Sequence, residues 1–210
     1  MARIIIARHG ETDWNVGEAF RGRLDVGLNE TGLAQAEALG EGLSAFAVEA
    51  VYSSPLKRAV DTATAVAAHH GLRISIAPGL VDFDYGAWQG LSHQEVKEHY
   101  PDLYQRWLAE PHLVTMPDGE SLGEVRQRAG KVVDSAVAAH GGTVVLVSHR
   151  VVNKVLICSL LGLDDSHFWN IRQDVAGITV FECEGGRFTL TRHNDTSHLG
   201  EARRHELSDF

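Results

Sequence analysis

Residues 3–12 read RIIIARHGET, and this stretch decides the fold. Its apolar part, residues 3–7, is rich in β-branched side chains and is typical of a strand that is buried on both faces. Two later runs, residues 50–53 (AVYS) and Thr143–Ser148 (TVVLVS), have the same character. Helical patterns fill the sequence between these runs. The alternation of strands and helices predicts an α/β fold, a three-layer α/β/α sandwich around a mainly parallel sheet.

The remaining elements are predicted from periodicity and from helix-start signals. Ser92 with Glu95 and Ser121 with Glu124 form capping-box patterns, and Ser54 before a proline predicts an N-cap with that proline at the first helical position. The helices are predicted at residues 32–46, 55–70, 92–100, 121–140 and 151–161. A short strand at residues 73–77 and a hairpin at residues 178–182 and 187–191 complete the pattern.

Length and composition indicate one globular domain. The 210 residues match a single domain of ordinary size, with 44% hydrophobic and 22% charged residues. This composition excludes disordered, collagen-like and coiled-coil chains. We expect a single domain over residues 1–210, with residues 82–117 inserted as a small, partly helical lid.

Charge and cysteine usage exclude several classes of partner. The net charge of −9 argues against a nucleic-acid or anionic-membrane surface, and no apolar stretch has the length of a membrane span. The two cysteines, Cys158 and Cys183, lie in apolar runs whose spacing matches neither a disulfide framework nor a zinc site. The histidine spacing shows no HExxH-type pattern. We therefore expect a cytoplasmic protein without a metal or a cofactor.

Basic side chains follow the predicted strands at their carboxyl ends, where ligands of open α/β sheets bind. The first strand is followed by Arg8 and His9, the second by a helix that carries Arg58, and the third by His149 and Arg150. Like charges brought together destabilise a fold unless an anion joins them. The sequence therefore predicts a site for an anion at this edge of the sheet.

Four motifs, in order, resemble the histidine phosphatase superfamily, the phosphoglycerate mutase-like group that also contains many small phosphatases. They are Arg8-His9-Gly10-Glu11-Thr12, Ser53-Ser54-Pro55-Leu56-Lys57-Arg58, Gly119-Glu120-Ser121 and Ser148-His149. Together they span nearly the whole chain, which makes the resemblance far more specific than an isolated Arg-His-Gly.

The resemblance implies the role of each matched residue. His9 would attack phosphorus and form a phosphohistidine, with Arg8, Arg58 and His149 binding the phosphoryl oxygens. The loop that completes the phosphate cradle would include Asn15 and the backbone amides around Arg21 and Gly22.

The proton donor for the leaving group is less well defined by the sequence. In the family a glutamate lies four residues before the first glycine of the acid loop, and here that position is Asp82. Asp84 is the alternative donor, two residues further on. Tyr85, in the same loop, is expected against the substrate.

The interval from Gly90 to Gly119 is short for a phosphoglycerate mutase, and a short lid favours hydrolysis of the phosphohistidine by water. We therefore predict a phosphomonoesterase that acts on a small phosphorylated metabolite. Besides this substrate, the only partner that we expect is a second copy of the chain, because homodimers are common in the family. The alternatives are a cofactor-dependent phosphoglycerate mutase and a phospholigand-binding protein with little turnover. Among the phosphatases, the chain resembles the metal-independent phosphoserine phosphatases and, almost as well, the α-ribazole phosphatases. The phosphoserine phosphatases usually have a histidine at the position of Tyr85.

Overall fold

The computed structural model describes residues 2–16 and 19–200, and its centre is a six-stranded sheet. The strands are β1 Ala2–Arg8, β2 Val48–Ser53, β3 Ile74–Ile76, β4 Thr143–Ser148, β5 Ile178–Glu184 and β6 Arg187–Asp195. Their order across the sheet is β3-β2-β4-β1-β5-β6. The first four strands of that order are parallel, whereas β5 is antiparallel to β1 and to β6. The predicted mainly parallel sheet and the predicted hairpin are both confirmed.

Helices cover both faces of the sheet. They are α1 Asp13–Val16, α2 Glu30–Leu43, α3 Lys57–Ala68, α4 His93–His99, α5 Pro101–Ala109, α6 Leu122–Ala139 and α7 Arg150–Leu160. Ile5 and Ala7 of β1 pack with side chains of α2 and α3. Ile4 and Ile6, which point to the opposite face because side chains alternate along a strand, pack with α6 and α7. The three-layer α/β/α architecture is therefore confirmed.

The two predicted capping boxes are present. The predicted start of the helix at residues 55–70 is wrong. Ser92 and Ser121 each accept a hydrogen bond from the backbone N–H of the glutamate three residues later. The helix α3 begins at Lys57 rather than at residue 55, and Leu56 is its N-cap. Ser54 lies two residues before this N-cap, and its hydroxyl accepts the backbone N–H of Leu56 and contacts His149.

The segment of residues 82–117 packs against α6 and α7 and shares their core. Phe83 and Trp88 are fully buried, and Trp107 is buried beside Phe168. Gly86 has a φ of +52°, and a Cβ at this position would collide with the carbonyl oxygen of Pro117. The segment is thus anchored at both ends. The predicted domain over residues 1–210 includes residues 1, 17, 18 and 201–210, which lie outside the described residues.

Candidate active site

The two central strands bring two histidines together at their carboxyl ends. In the parallel β1–β4 pair, Arg8 is in register with Ser148, and the next backbone N–H, that of His9, donates to the Ser148 carbonyl at 3.1 Å. The imidazole rings of His9 and His149 follow directly, with their centroids 5.2 Å apart. Both residues are buried. Residues 140 positions apart in the sequence therefore meet because two adjacent strands end at the same edge.

The hydrogen bonds of His9 define which ring nitrogen can react. Its Nδ1 lies 2.6 Å from the carbonyl oxygen of Gly10, and because a carbonyl only accepts, Nδ1 must carry the proton. Burial lowers the pKa of His9 well below its ordinary value, and the positive charges of Arg58, Arg8 and Arg21 lower this pKa further. The ring is therefore neutral near pH 7, with a lone pair on Nε2.

His149 is held as the opposite tautomer. Its Nε2 lies 2.7 Å from Ser54 Oγ, and its Nδ1 lies 3.5 Å from Asp82 Oδ2. A carboxylate next to Nδ1 favours the proton on that nitrogen, so that Nε2 accepts from the serine hydroxyl. Burial, followed by the charge of Arg58, lowers the pKa of His149 well below its ordinary value. The ring is neutral and presents an N–H donor on the side of Asp82.

Arg58 is fully buried and links three segments. Its Nη1 donates to the Leu24 carbonyl and its Nη2 to the Gly22 carbonyl, each at 2.9 Å. Nη2 also donates to Asp82 Oδ2 at 2.9 Å, forming a buried ion pair. The Nε–H of Arg58 is buried and has no hydrogen-bond partner among the described residues. This guanidinium retains a donor for an anion.

Arg8 is buried beside His9, and its guanidinium is held by the segment that precedes β5. Its Nη1 donates to the backbone carbonyl of Gln173 at 2.5 Å. Its charge is one of those that lower the pKa of His9. The structure thus brings together Arg8, His9, Arg58 and His149, the four residues that the sequence assigned to the phosphoryl group.

The two acid-loop carboxylates differ in their surroundings. Asp82 is buried, contacts Arg58 and His149, and lines the cleft above His9. Asp84 is half-buried, accepts the backbone N–H of Gly86, and lies 3.2 Å from Arg23. Asp84 therefore stabilises the loop, whereas Asp82 faces the histidines. The geometry favours Asp82 as the proton donor.

A network of arginines and one glutamate fixes the acid loop. Glu120 accepts hydrogen bonds from Arg23 and Arg128 and from the backbone N–H of Asp84. Arg128 also donates to the carbonyl oxygens of Gly79, Val81 and Asp82. The Gly119-Glu120-Ser121 motif therefore acts on the site indirectly, by holding the loop that carries Asp82.

A narrow cleft leads to His9. Its lining includes three of the predicted substrate-binding residues, Arg21, Gly22 and Tyr85. Removal from water raises the pKa of the Tyr85 hydroxyl, which stays protonated and can donate a hydrogen bond. The fourth predicted residue, Asn15, does not line the cleft. Its Oδ1 accepts from the Thr12 backbone N–H at 2.9 Å and so orders the turn that follows His9.

Three residues at the site have no catalytic or substrate-binding role in the sequence interpretation. Ser54 contacts His149, and Arg150 and His93 line the cleft. The position of Arg150 directly after His149 was a usable signal, since the carboxyl end of one strand delivers both. Arg21 was predicted through its backbone amide, but its guanidinium also takes part and donates to Thr12 Oγ1 at 3.0 Å.

Within the described part of the chain, no group of three or more His, Cys, Asp or Glu side chains is arranged to hold a metal ion. Cys158 and Cys183 are both free and buried. None of the described helices has the length and apolar character needed to cross a membrane.

Comparison with known proteins gives one consistent result. Residues 4–196 match the family model of the "Histidine phosphatase superfamily (branch 1)". "Phosphoserine phosphatase 1" of Hydrogenobacter thermophilus is 38% identical over 202 residues, which is 96% of each chain.

Two solved structures extend this similarity to the fold. "Bacillus stearothermophilus YhfR" superposes with a TM-score of 0.90 at 33% identity, covering 95% of this chain and 100% of that one. The mycobacterial glucosyl-3-phosphoglycerate phosphatase Rv2419c, in complex with VO3, has a TM-score of 0.87 at 30% identity, covering 93% and 100%.

Proposed function

The chain belongs to the histidine phosphatase superfamily and is a phosphomonoesterase of small metabolites, and from this premise we propose that His9 carries the phosphoryl group from substrate to water. In the first step, Nε2 of His9 attacks phosphorus as the ester P–O bond breaks. In the second step, water attacks phosphorus, the P–N bond breaks, and inorganic phosphate leaves. The supporting observation is the 2.6 Å hydrogen bond between Nδ1 and the Gly10 carbonyl, which leaves the Nε2 lone pair in a neutral, cation-surrounded ring.

Arg8, Arg58 and His149 bind the oxygens of the transferring phosphoryl group in this proposal. Charge develops on these oxygens during transfer, and fixed donors stabilise it without reorganising. Arg58 contributes its unpaired Nε–H, and His149 contributes its Nδ1–H. The backbone near Gly22 and the turn ordered by Asn15 complete the cradle.

Asp82 is the proposed general acid and base. A phosphoryl dianion beside this carboxylate favours one shared proton, because two anionic groups in contact repel. That proton passes to the leaving alkoxide oxygen in the first step. In the second step, the carboxylate of Asp82 takes a proton from the attacking water. Burial against Arg58 and His149 supports this assignment over Asp84.

The proposal is tested by trapping the intermediate. Brief incubation with a ³²P-labelled phosphomonoester, followed by a denaturing quench at alkaline pH, should leave an acid-labile label on the chain. His9→Ala should abolish both the label and turnover, whereas His112→Ala, at an exposed position, should keep both. A labelled His9→Ala chain would assign the nucleophile to another residue.

The substrate is proposed from the printed activities of the relatives. The first substrates to test are phosphoserine and glucosyl-3-phosphoglycerate, because similar chains are named as phosphatases of these two compounds. Hydrolysis, rather than return of the phosphoryl group to a product, is favoured by the short interval between Gly90 and Gly119, which leaves little chain to cover the phosphohistidine. Release of inorganic phosphate in step with substrate loss supports this conclusion, and isomerisation of a phosphoglycerate without release would indicate a mutase.

We also propose a single-domain homodimer in the cytoplasm. Two core clusters on the two faces of one sheet support a single domain, which predicts one cooperative unfolding transition. The two free thiols, Cys158 and Cys183, suit a reducing compartment. The resemblance to a family in which homodimers are common supports the dimer, which sedimentation at two concentrations tests.

A further inference from the structure

Helix α2 carries a fully buried polar side chain that the proposed reaction does not use. This residue is Gln35, which lies in the same helix as the core residues Leu39 and Leu43. An amide that is removed from water destabilises a fold unless it forms hydrogen bonds. The side-chain oxygen Oε1 of Gln35 accepts the backbone N–H of Glu11 at 2.8 Å. Gln35 is therefore bonded to the backbone two residues after His9.

Two glycines allow α2 to approach this backbone closely. A Cβ on Gly10 would collide with the carbonyl oxygen of Gly32, and a Cβ on Gly32 would collide with the carbonyl oxygen of Glu11. Asn29, the N-cap of α2, donates its backbone N–H to the Glu11 carbonyl at 3.1 Å. Gln35 lies three residues after Gly32 and therefore on the same face of the helix. The first turns of α2 are thus packed directly on the segment that follows His9.

One peptide group connects Gln35 to His9. The peptide between Gly10 and Glu11 accepts the Nδ1–H of His9 on its carbonyl oxygen at 2.6 Å, and it donates its N–H to Gln35. The described chain contains no cis peptide bond, and the carbonyl and N–H of a planar trans peptide point in opposite directions. An acceptor that holds the N–H on one side therefore holds the carbonyl towards the histidine ring on the other side.

Rotation of this peptide would change the tautomer of His9. Glycine has the widest backbone freedom, so Gly10 does not by itself fix the orientation of the peptide that follows it. The preceding peptide is held separately, because the N–H of Gly10 donates to Thr62 Oγ1 at 3.1 Å. A rotated Gly10–Glu11 peptide would present its N–H to Nδ1 of His9, and the ring proton would then lie on Nε2. That tautomer has no lone pair on Nε2 with which to attack phosphorus.

We propose that Gln35 is a positioning residue for the nucleophile: its Oε1 holds the Gly10–Glu11 peptide in the orientation that keeps the proton of His9 on Nδ1 and the lone pair on Nε2. This role rests on the proposed function of His9 as the nucleophile. Loss of the Gln35 oxygen should lower the rate of phosphoryl transfer but not the affinity for phosphate, because Arg8 and Arg58 supply the charges that bind the anion.

The tautomer of His9 can be measured directly, without a substrate. In a chain labelled with ¹⁵N-histidine, protonated and unprotonated ring nitrogens differ in their ¹⁵N chemical shifts, and the signals of His9 are identified by their loss in His9→Gln. We expect a protonated Nδ1 and an unprotonated Nε2 in the wild type near pH 7. Gln35→Met keeps the length of the side chain and removes the oxygen, and it should move both shifts towards the average of the two tautomers. Gln35→Asn withdraws the oxygen by one methylene, should have the same effect, and serves where the methionine variant does not fold.

Steady-state kinetics give the second readout. In Gln35→Met, kcat/KM for 4-nitrophenyl phosphate should fall about tenfold, as expected when a buried N–H is left without its acceptor. The inhibition constant of inorganic phosphate should stay unchanged. Gln35→Glu retains an acceptor oxygen and should restore much of the rate. Leu39→Val, one turn further along α2, removes one methylene from the core, and it should lower stability while leaving the tautomer and the rate unchanged.

The outcomes separate the positioning role from the phosphatase function. The role of Gln35 is refuted if the ring shifts of His9 are the same in the wild type and in the Gln35 variants. A rate that falls equally in Leu39→Val, or that is as low in Gln35→Glu as in Gln35→Met, also refutes it. A changed tautomer with an unchanged rate would show that Nε2 of His9 is not the nucleophile, and this result would refute the proposed function itself.

Discussion

Mild acid should destabilise this protein through its two active-site histidines. His9 and His149 are buried, and burial and nearby arginines lower both pKa values well below 6.5. In the unfolded chain the same residues bind protons near pH 6.5. The unfolded state therefore binds more protons than the folded state below that pH, and the free energy of unfolding falls as the pH falls.

The size of the effect follows from linkage. Each buried histidine that stays neutral costs the fold about 1.4 kcal/mol of stability for each pH unit below its unfolded pKa, until the folded pKa is reached. Between pH 7.5 and 5.5 the two histidines together should remove about 3 kcal/mol. This is a large fraction of the roughly 5–15 kcal/mol by which most domains are stable.

Urea unfolding at several pH values measures this loss, in buffers without phosphate because a bound anion would stabilise the charged rings. His149→Gln keeps a neutral polar side chain and should remove about half of the pH dependence, and His9→Gln should do the same. His112→Gln, at an exposed position, corrects for the remaining histidines and should change nothing. A pH slope that is identical in His149→Gln and in the wild type would refute the reasoning.

Three further predictions concern catalysis. Ser54→Ala leaves Nε2 of His149 without its partner and should lower kcat about tenfold, and restoration by Ser54→Thr distinguishes a hydrogen-bonding role from a packing role. Asp82→Asn should slow the hydrolysis of alkyl phosphates by a factor of about 10²–10⁴. The hydrolysis of 4-nitrophenyl phosphate, which has a better leaving group, should be slowed far less. Asp84→Asn should affect both substrates equally, and the reverse pattern would move the acid role to Asp84. Dialysis against EDTA should leave the rate unchanged, because the site gathers guanidinium groups rather than metal ligands; a loss restored by Mg²⁺ would contradict this.

Elements with strong local signals could be predicted closely from the sequence. The strand β4 was predicted at its observed bounds, Thr143–Ser148, because all six residues are buried and apolar or small. The strand β2 begins two residues before its prediction, since Glu49 interrupts the apolar run at a point where the register between β2 and β4 shifts. Helix α5 was not separated within residues 82–117, although Leu103, Trp107 and Leu108 form an apolar face that packs against the core.

The site could be predicted only where strand ends supply its residues. Arg8, His9 and His149 follow strands, and Arg58 lies in the first turn of the next helix, so topology alone brings them together. Contacts made by tertiary packing gave no such signal. The contact of Ser54 with His149 joins residues 95 positions apart, and in the sequence that serine resembles an ordinary helix cap.

Strand ends supply the two histidines of the site and connecting segments supply other residues of the cleft, which affects how a new substrate specificity can arise. His9 and His149 stand at the ends of β1 and β4, the strands at the heart of the sheet, where local opening is rarest. Arg21, Tyr85 and His93 also line the cleft, but they belong to connecting segments or to a helix start. Substitutions among these residues can redirect the enzyme toward a different alcohol while the residues that transfer the phosphoryl group stay in place. Substitutions in the connecting segments can therefore change substrate specificity, whereas substitutions at the ends of the central strands would abolish phosphoryl transfer.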